Sequence, residues 1–263
     1  MASVIEYGSE QFDAIRPTKP TMLFCTSAQA KEEHYLKRVA AWVVQAKKFG
    51  FECDLYCFHD GQLNQELLND ELNEVTFITF DKPLGRLSVW EIPGWKRSLA
   101  AAMKLSERYG YCVHVESDAL ICRRDKFNKL AKIDKLVALP FCTRYGMPET
   151  AVMILNDRDL RREICEFYSQ PESLYTNVNF EGSELYKLIL PYVTYFGLSC
   201  RFEGKADSFR YEVCTQISPE IIRRSDEFQF NPTYPESFQH AITALRELSY
   251  GEDKNKKAER PLN

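Results

Sequence analysis

At 263 residues, 44% of them hydrophobic and 27% charged, the chain has the composition of a soluble globular protein that buries a sizeable core. A formal net charge of −4 argues against a protein whose main task is to hold nucleic acid or an anionic membrane. The 9 cysteines are odd in number, are spread through apolar segments and form no Cys-x-x-Cys pair, which excludes a disulfide framework and a zinc ribbon and fits buried thiols in a reducing compartment.

The first 20 residues carry Glu6, Glu10 and Asp13 without an apolar leader, and read as an N-terminal extension. Thr21–Cys25 is a short apolar run after Pro20, the pattern of a buried strand ending in the polar pair Thr26-Ser27. From Glu32 to Lys48 the apolar residues Leu36, Val39, Ala40, Val43 and Val44 recur at helical steps, with acids first, lysines last and Gly50 as the stop. Glu52–Phe58 and Val75–Phe80 predict two further strands around a polar link. Trp95–Tyr109 predicts a helix that leads through Gly110 into the apolar strand Tyr111–Val115. Leu136–Phe141 and Ala151–Leu155 are strand candidates, Arg158–Ser169 is an amphipathic helix, and Pro235–Leu248 is a late helical segment. The alternation predicts an α/β fold with a mostly parallel central sheet flanked by helices. Residues 250–263 are almost wholly charged and read as a disordered tail. No run of about 18 apolar residues occurs, so a cytosolic protein is expected, with any membrane contact peripheral.

Glu116-Ser117-Asp118 follows Tyr111–Val115 at once. In extended chain, side chains alternate, so Glu116 and Asp118 share one side and Ser117 takes the other. Two carboxylates so placed are hard oxygen donors for Mg²⁺ or Mn²⁺, a cation that commonly completes its shell with water and substrate phosphates. In an open parallel sheet ligands sit beyond the carboxyl ends of the strands, which would bring Thr26, Ser27, His59, Asp60 and the triplet to one crevice. Lys96 and Arg97 lie in the first turn of a predicted helix, where positive charge opposes the macrodipole, and some other interaction must hold them there.

This order resembles the nucleotide-sugar-dependent glycosyltransferases of the GT-A fold, a single Rossmann-like domain. The resemblance rests on Cys25-Thr26-Ser27, on Gly94-Trp95-Lys96-Arg97-Ser98-Leu99 leading into residues 111–121, and on the segment Glu149–Asn156. It implies a GT-A domain over 21–249, with a donor half at about 21–122 and an acceptor half at about 123–249. It implies an acid-x-acid motif holding Mn²⁺ or Mg²⁺ on the donor diphosphate, with Glu116 and Asp118 as ligands and His240 as a late third one. Thr26, Ser27, His59, Asp60, Lys96, Arg97 and Ser117 are then the donor contacts. Phe180–Leu185 and Arg201-Phe-Glu-Gly-Lys205 are similar in order to motifs of the retaining, family-8-like branch. Should the reaction invert, a carboxylate must take the acceptor's proton, and Glu181 and Asp207, with Glu149 behind them, are the candidates.

The implied activity is sugar transfer from a UDP- or GDP-sugar to a glycan, glycolipid or protein acceptor, as in polysaccharide biosynthesis. Two alternatives stand beside it. Glu in place of the first Asp, and no histidine at 202 or 203, fit a GT-A-like nucleotide or carbohydrate-binding protein with weak turnover. A sugar-phosphate nucleotidyltransferase uses a related sheet, but needs a glycine-rich phosphate loop that 26–33 lacks.

Overall fold

The computed structural model describes residues 2–27, 52–87, 91–115, 119–121, 137–138, 141–142, 147–148, 152–175 and 227–229, with 36, 39, 40, 43, 46 and 50. Among the described residues, strands β1 (Ser3–Glu6), β2 (Thr21–Ser27), β3 (Cys53–His59), β4 (Val75–Thr79), β5 (Tyr111–Val115), β6 (Ala119–Ile121), β7 (Val137–Ala138), β8 (Phe141–Cys142), β9 (Met147–Pro148), β10 (Val152–Ile154) and β11 (Glu227–Gln229) are accompanied by α-helices. The helices are α1 (Glu10–Ala14), α2 (Pro93–Ser106), α3 (Arg158–Tyr168) and α4 (Pro171–Leu174). Residues 36, 39, 40, 43 and 46 are helical as well.

The central sheet has 7 strands in the order β1-β4-β3-β2-β5-β10-β7. Its first five members are parallel, and β10 runs antiparallel to both β5 and β7. The mostly parallel sheet expected from the sequence is therefore present. Both faces are apolar, as covered parallel strands require. Leu23, Cys25, Leu55, Cys57, Val113 and Val115 join the core on one face, together with Leu36, Val39, Ala40, Val43 and Ala46. Met22, Phe24, Tyr56, Phe58, Cys112 and Met153 alternate with them on the other, under α2, α3 and Phe12 of α1. Period-two alternation divides each strand between two cores.

Several boundaries differ from the sequence pattern. Ser3–Glu6 is the edge strand β1, so 1–20 is no mere extension: its four residues pair with Thr76–Thr79 of β4. Their exposed and half-buried pattern leaves no apolar run to read. Within the stretch read as one strand, Leu136–Phe141, Val137–Ala138 (β7) joins the central sheet whereas Phe141 belongs to β8 of a separate two-stranded sheet. β8 instead forms a small hairpin with β9, and β11 pairs with β6. Helix α2 begins two residues before Trp95 because Pro93 is accommodated in its opening turn.

The carboxyl end of α2 is closed by a buried cation. The Arg161 guanidinium of α3 donates through Nη1 to Ser106 O at 2.7 Å and to Tyr109 O at 3.3 Å, and its side chain is fully buried. Ser106 is the last residue of the helix, its carbonyl accepting also from Tyr109 N–H at 2.9 Å, and Tyr109 lies just beyond it; positive charge there complements the dipole. Arg161→Ala takes the guanidinium donors from the Tyr109 carbonyl, at about 1–3 kcal/mol for a buried acceptor left unsatisfied, while Ser106 O keeps its bond from Tyr109 N–H. Urea unfolding should show a loss within that range, with Arg161→Lys recovering only part of it because one ammonium does not reproduce the forked geometry.

Candidate functional site

Four parallel strands end at one edge. Ser27 of β2 is in register with His59 of β3, His59 with Thr79 of β4, and Phe24 of β2 with His114 of β5. Residues 116–118 follow β5 at this edge in sequence, and β6 takes up the chain at Ala119. Glu116, Ser117 and Asp118 themselves lie outside the described residues, as do Glu149, Glu181, Asp207 and His240. Among the described residues no group of three or more His, Cys, Asp or Glu gathers to hold a metal ion.

The structure gives the remaining candidates different tasks. Thr26 is not in a loop after the strand: it belongs to β2, is buried, and its Oγ1 stands 3.2 Å from His114 Nε2. The His114 ring packs against Phe24, with centroids 5.0 Å apart, and meets Trp95 edge-on at 6.2 Å. A polar contact thus joins the ends of β2 and β5 beneath the first turn of α2. His114 is thus a buried histidine with a polar side-chain partner. Ser27 is the last residue of β2, and His59 is buried at the end of β3.

Asp60 and Arg97 are brought together. The Asp60 carboxylate is buried, with 1% of its side chain exposed, and forms an ion pair with Arg97 Nη2. It also accepts from the backbone N–H of Leu84 at 3.2 and 3.1 Å and from that of Gly85 at 2.7 Å. Arg97 Nη2 donates further to Lys82 O at 2.6 Å, and the guanidinium lies 4.2 Å from the Phe80 ring centroid. The turn that delivers Asp60 uses Gly61 at φ +122°, a conformation open to glycine, with Pro83 packed against its Cα. Sequence reasoning missed Gly94, whose lack of a side chain makes room for the carboxylate: a Cβ there would stand 2.0 Å from Asp60 Oδ2.

The Lys96 side chain is buried, donates from Nζ to Ser173 O of α4 at 3.1 Å, and lies 5.7 Å from the Tyr168 ring centroid. It links α2 to α4. Burial lowers its ammonium to about 8, partly opposed by Glu91.

The comparisons place this geometry. The sequence matches no protein-family model and no curated protein. Among solved structures, the bifunctional glycosyltransferase WbbM in its apo form has a TM-score of 0.54 at 9% identity, over 87% of this chain and 50% of that one. The apo form of the glycosyltransferase GlyE from Streptococcus pneumoniae TIGR4 has a TM-score of 0.51 at 13% identity, over 93% of this chain and 65% of that one. This chain therefore spans half the length of WbbM and about two thirds of GlyE. The fold is that of the GT-A glycosyltransferases. Among the described residues, no helix is long and apolar enough to cross a membrane.

The lowered Lys96 value carries a signed prediction. An unfolded lysine titrates near 10.4, so between about 8 and about 10.4 the unfolded chain binds more protons than the folded one, and this residue's contribution to stability rises with pH. Comparing wild type with Lys96→Met by urea unfolding across that window isolates the effect from the cysteines and tyrosines. The wild-type midpoint should gain on the variant's as pH rises; a constant difference contradicts the assignment.

Proposed function

We propose that the chain is a glycosyltransferase that moves a sugar from a nucleoside-diphosphate donor, UDP- or GDP-linked, to a glycan, glycolipid or protein acceptor. The observation that carries this reading is the convergence of the carboxyl ends of β2, β3, β4 and β5, in a GT-A fold, at the edge where Glu116-Ser117-Asp118 follows β5 in sequence. Open α/β sheets bind ligands beyond this edge. Two carboxylates one residue apart form a donor set of hard oxygens, which suits Mn²⁺ or Mg²⁺. Such a cation, when bound, neutralises charge on a departing diphosphate.

The chain's own residues divide the remaining work. Glu116 and Asp118 hold the cation, with His240 as a third ligand. Ser27 and Ser117, at the ends of β2 and β5 in sequence, contact the donor. Thr26 and His114 brace those strand ends against each other beneath it. Lys96 is committed to Ser173 and holds the helix layer together. Glu181, Asp207 or Glu149 orients the acceptor hydroxyl or takes its proton, a role of general bases that contributes about 10²–10⁴-fold. The pairing of β11 with β6 supports a site shared with the later part of the chain, because it sets 227–229 beside the strand that continues the triplet.

Calorimetric titration of UDP and GDP in Mn²⁺, and again in EDTA, tests the reading. One nucleotide should bind with Mn²⁺ and not with chelator, and Asp118→Ala should weaken it by more than about tenfold, equivalent to about 1.4 kcal/mol, at an unchanged melting temperature. Equal binding by the variant would remove Asp118 from the site.

A further inference from the structure

Arg97 follows directly on the first turn of α2, a turn that holds no acidic residue and whose N-cap position, Ile92, supplies no side-chain hydrogen bond. A helix start of this kind has a positive dipole end, and a guanidinium beside it makes it more positive still. The compensating negative charge comes from another strand. Asp60, just past β3, brings its carboxylate against the bare Cα of Gly94, onto the amides of Leu84 and Gly85 and onto Arg97. The loop after β4 is drawn into the same knot, since Phe80 N–H donates to Gly61 O at 3.2 Å and Gly94 N–H to Gly85 O at 3.1 Å.

We infer that Asp60 is a positioning residue of the donor edge: its carboxylate locks Arg97 and the first turn of α2 over the carboxyl ends of the strands, and Arg97 is its partner rather than a diphosphate ligand. What the lock positions is visible one residue before Arg97's neighbour Lys96. Trp95, buried in the same turn, meets His114 edge-on, and His114 contacts Thr26 at the end of β2. A continuous run of contacts therefore leads from the end of β3 through α2 to the ends of β5 and β2, two residues from the triplet. Removing one member of a buried ion pair leaves the other charge uncompensated, so the two single losses should resemble each other. The role at the donor edge rests on the reading of a nucleotide site, whereas the lock itself does not.

The test is a double-mutant cycle with Asp60→Asn and Arg97→Gln, read by urea unfolding and by calorimetry with UDP and GDP in Mn²⁺. Each single variant is expected to lower the urea midpoint and weaken nucleotide binding about tenfold, with the double variant no worse than either. Gly94→Ala, whose Cβ would displace the carboxylate, should reproduce Asp60→Asn in both readouts. If Arg97 is instead a diphosphate ligand restrained by Asp60, Asp60→Asn will tighten nucleotide binding while Arg97→Gln weakens it, and the inference is overturned. Additive effects on the urea midpoint overturn it too. Should the wild type bind neither nucleotide, the donor reading and the donor-edge role fall together, and the urea cycle decides the lock alone.

Discussion

The carboxylate of Asp60 joins the end of β3 to the start of α2, where a positive dipole end and the Arg97 guanidinium would otherwise repel each other. Buried charge is costly unless each lone pair finds a donor, and here two backbone amides and a guanidinium supply them. The consequence reaches well beyond one ion pair. The end of β3, the loop after β4 and the first turn of α2 meet on a single group, so the helix that leads into β5 has a fixed starting point. Its far end is fixed in the same manner by Arg161, which serves the carbonyls of Ser106 and Tyr109. Lys96 ties the helix sideways to α4. Three buried charged side chains, each satisfied largely by backbone groups, thus hold one helix against the sheet edge.

Those same residues show where sequence reading stops. The strands were legible because a sheet covered on both faces is built from short continuous apolar runs, and Tyr111–Val115 coincides with β5. The short edge strand β1 was not, since its half-exposed residues carry no such run. Lys96 and Arg97 stood out in the sequence for the right physical reason, positive charge at the positive end of a dipole. Sequence alone attached that anomaly to a bound diphosphate. The structure attaches Arg97 to a carboxylate 37 residues earlier and Lys96 to a carbonyl 77 residues later, distances along the chain that no local pattern encodes. The signal that could have pointed to Asp60 was Gly94: a glycine inside a helix's first turn marks close approach by something, and His59-Asp60-Gly61 offered a carboxylate at a strand end.

The candidate site is legible in a complementary way. The triplet, Ser27 and Ser117 owe their proposed roles to where the strands stop, a property of topology rather than of any single contact. Thr26 and His114, by contrast, are turned toward each other inside the protein. The edge therefore separates into groups that brace it and groups left to meet a ligand, and the bracing set contains most of the residues whose side chains are buried: Asp60, Lys96, Thr26 and His114.

The account turns on whether this edge transfers a sugar. The most direct measurement follows nucleotide release from a panel of UDP- and GDP-sugars, with Mn²⁺, with Mg²⁺ and with EDTA. Release from one donor that depends on the metal is the predicted result and would name the sugar; the absence of release from every donor, together with the absence of nucleotide binding, would contradict the account.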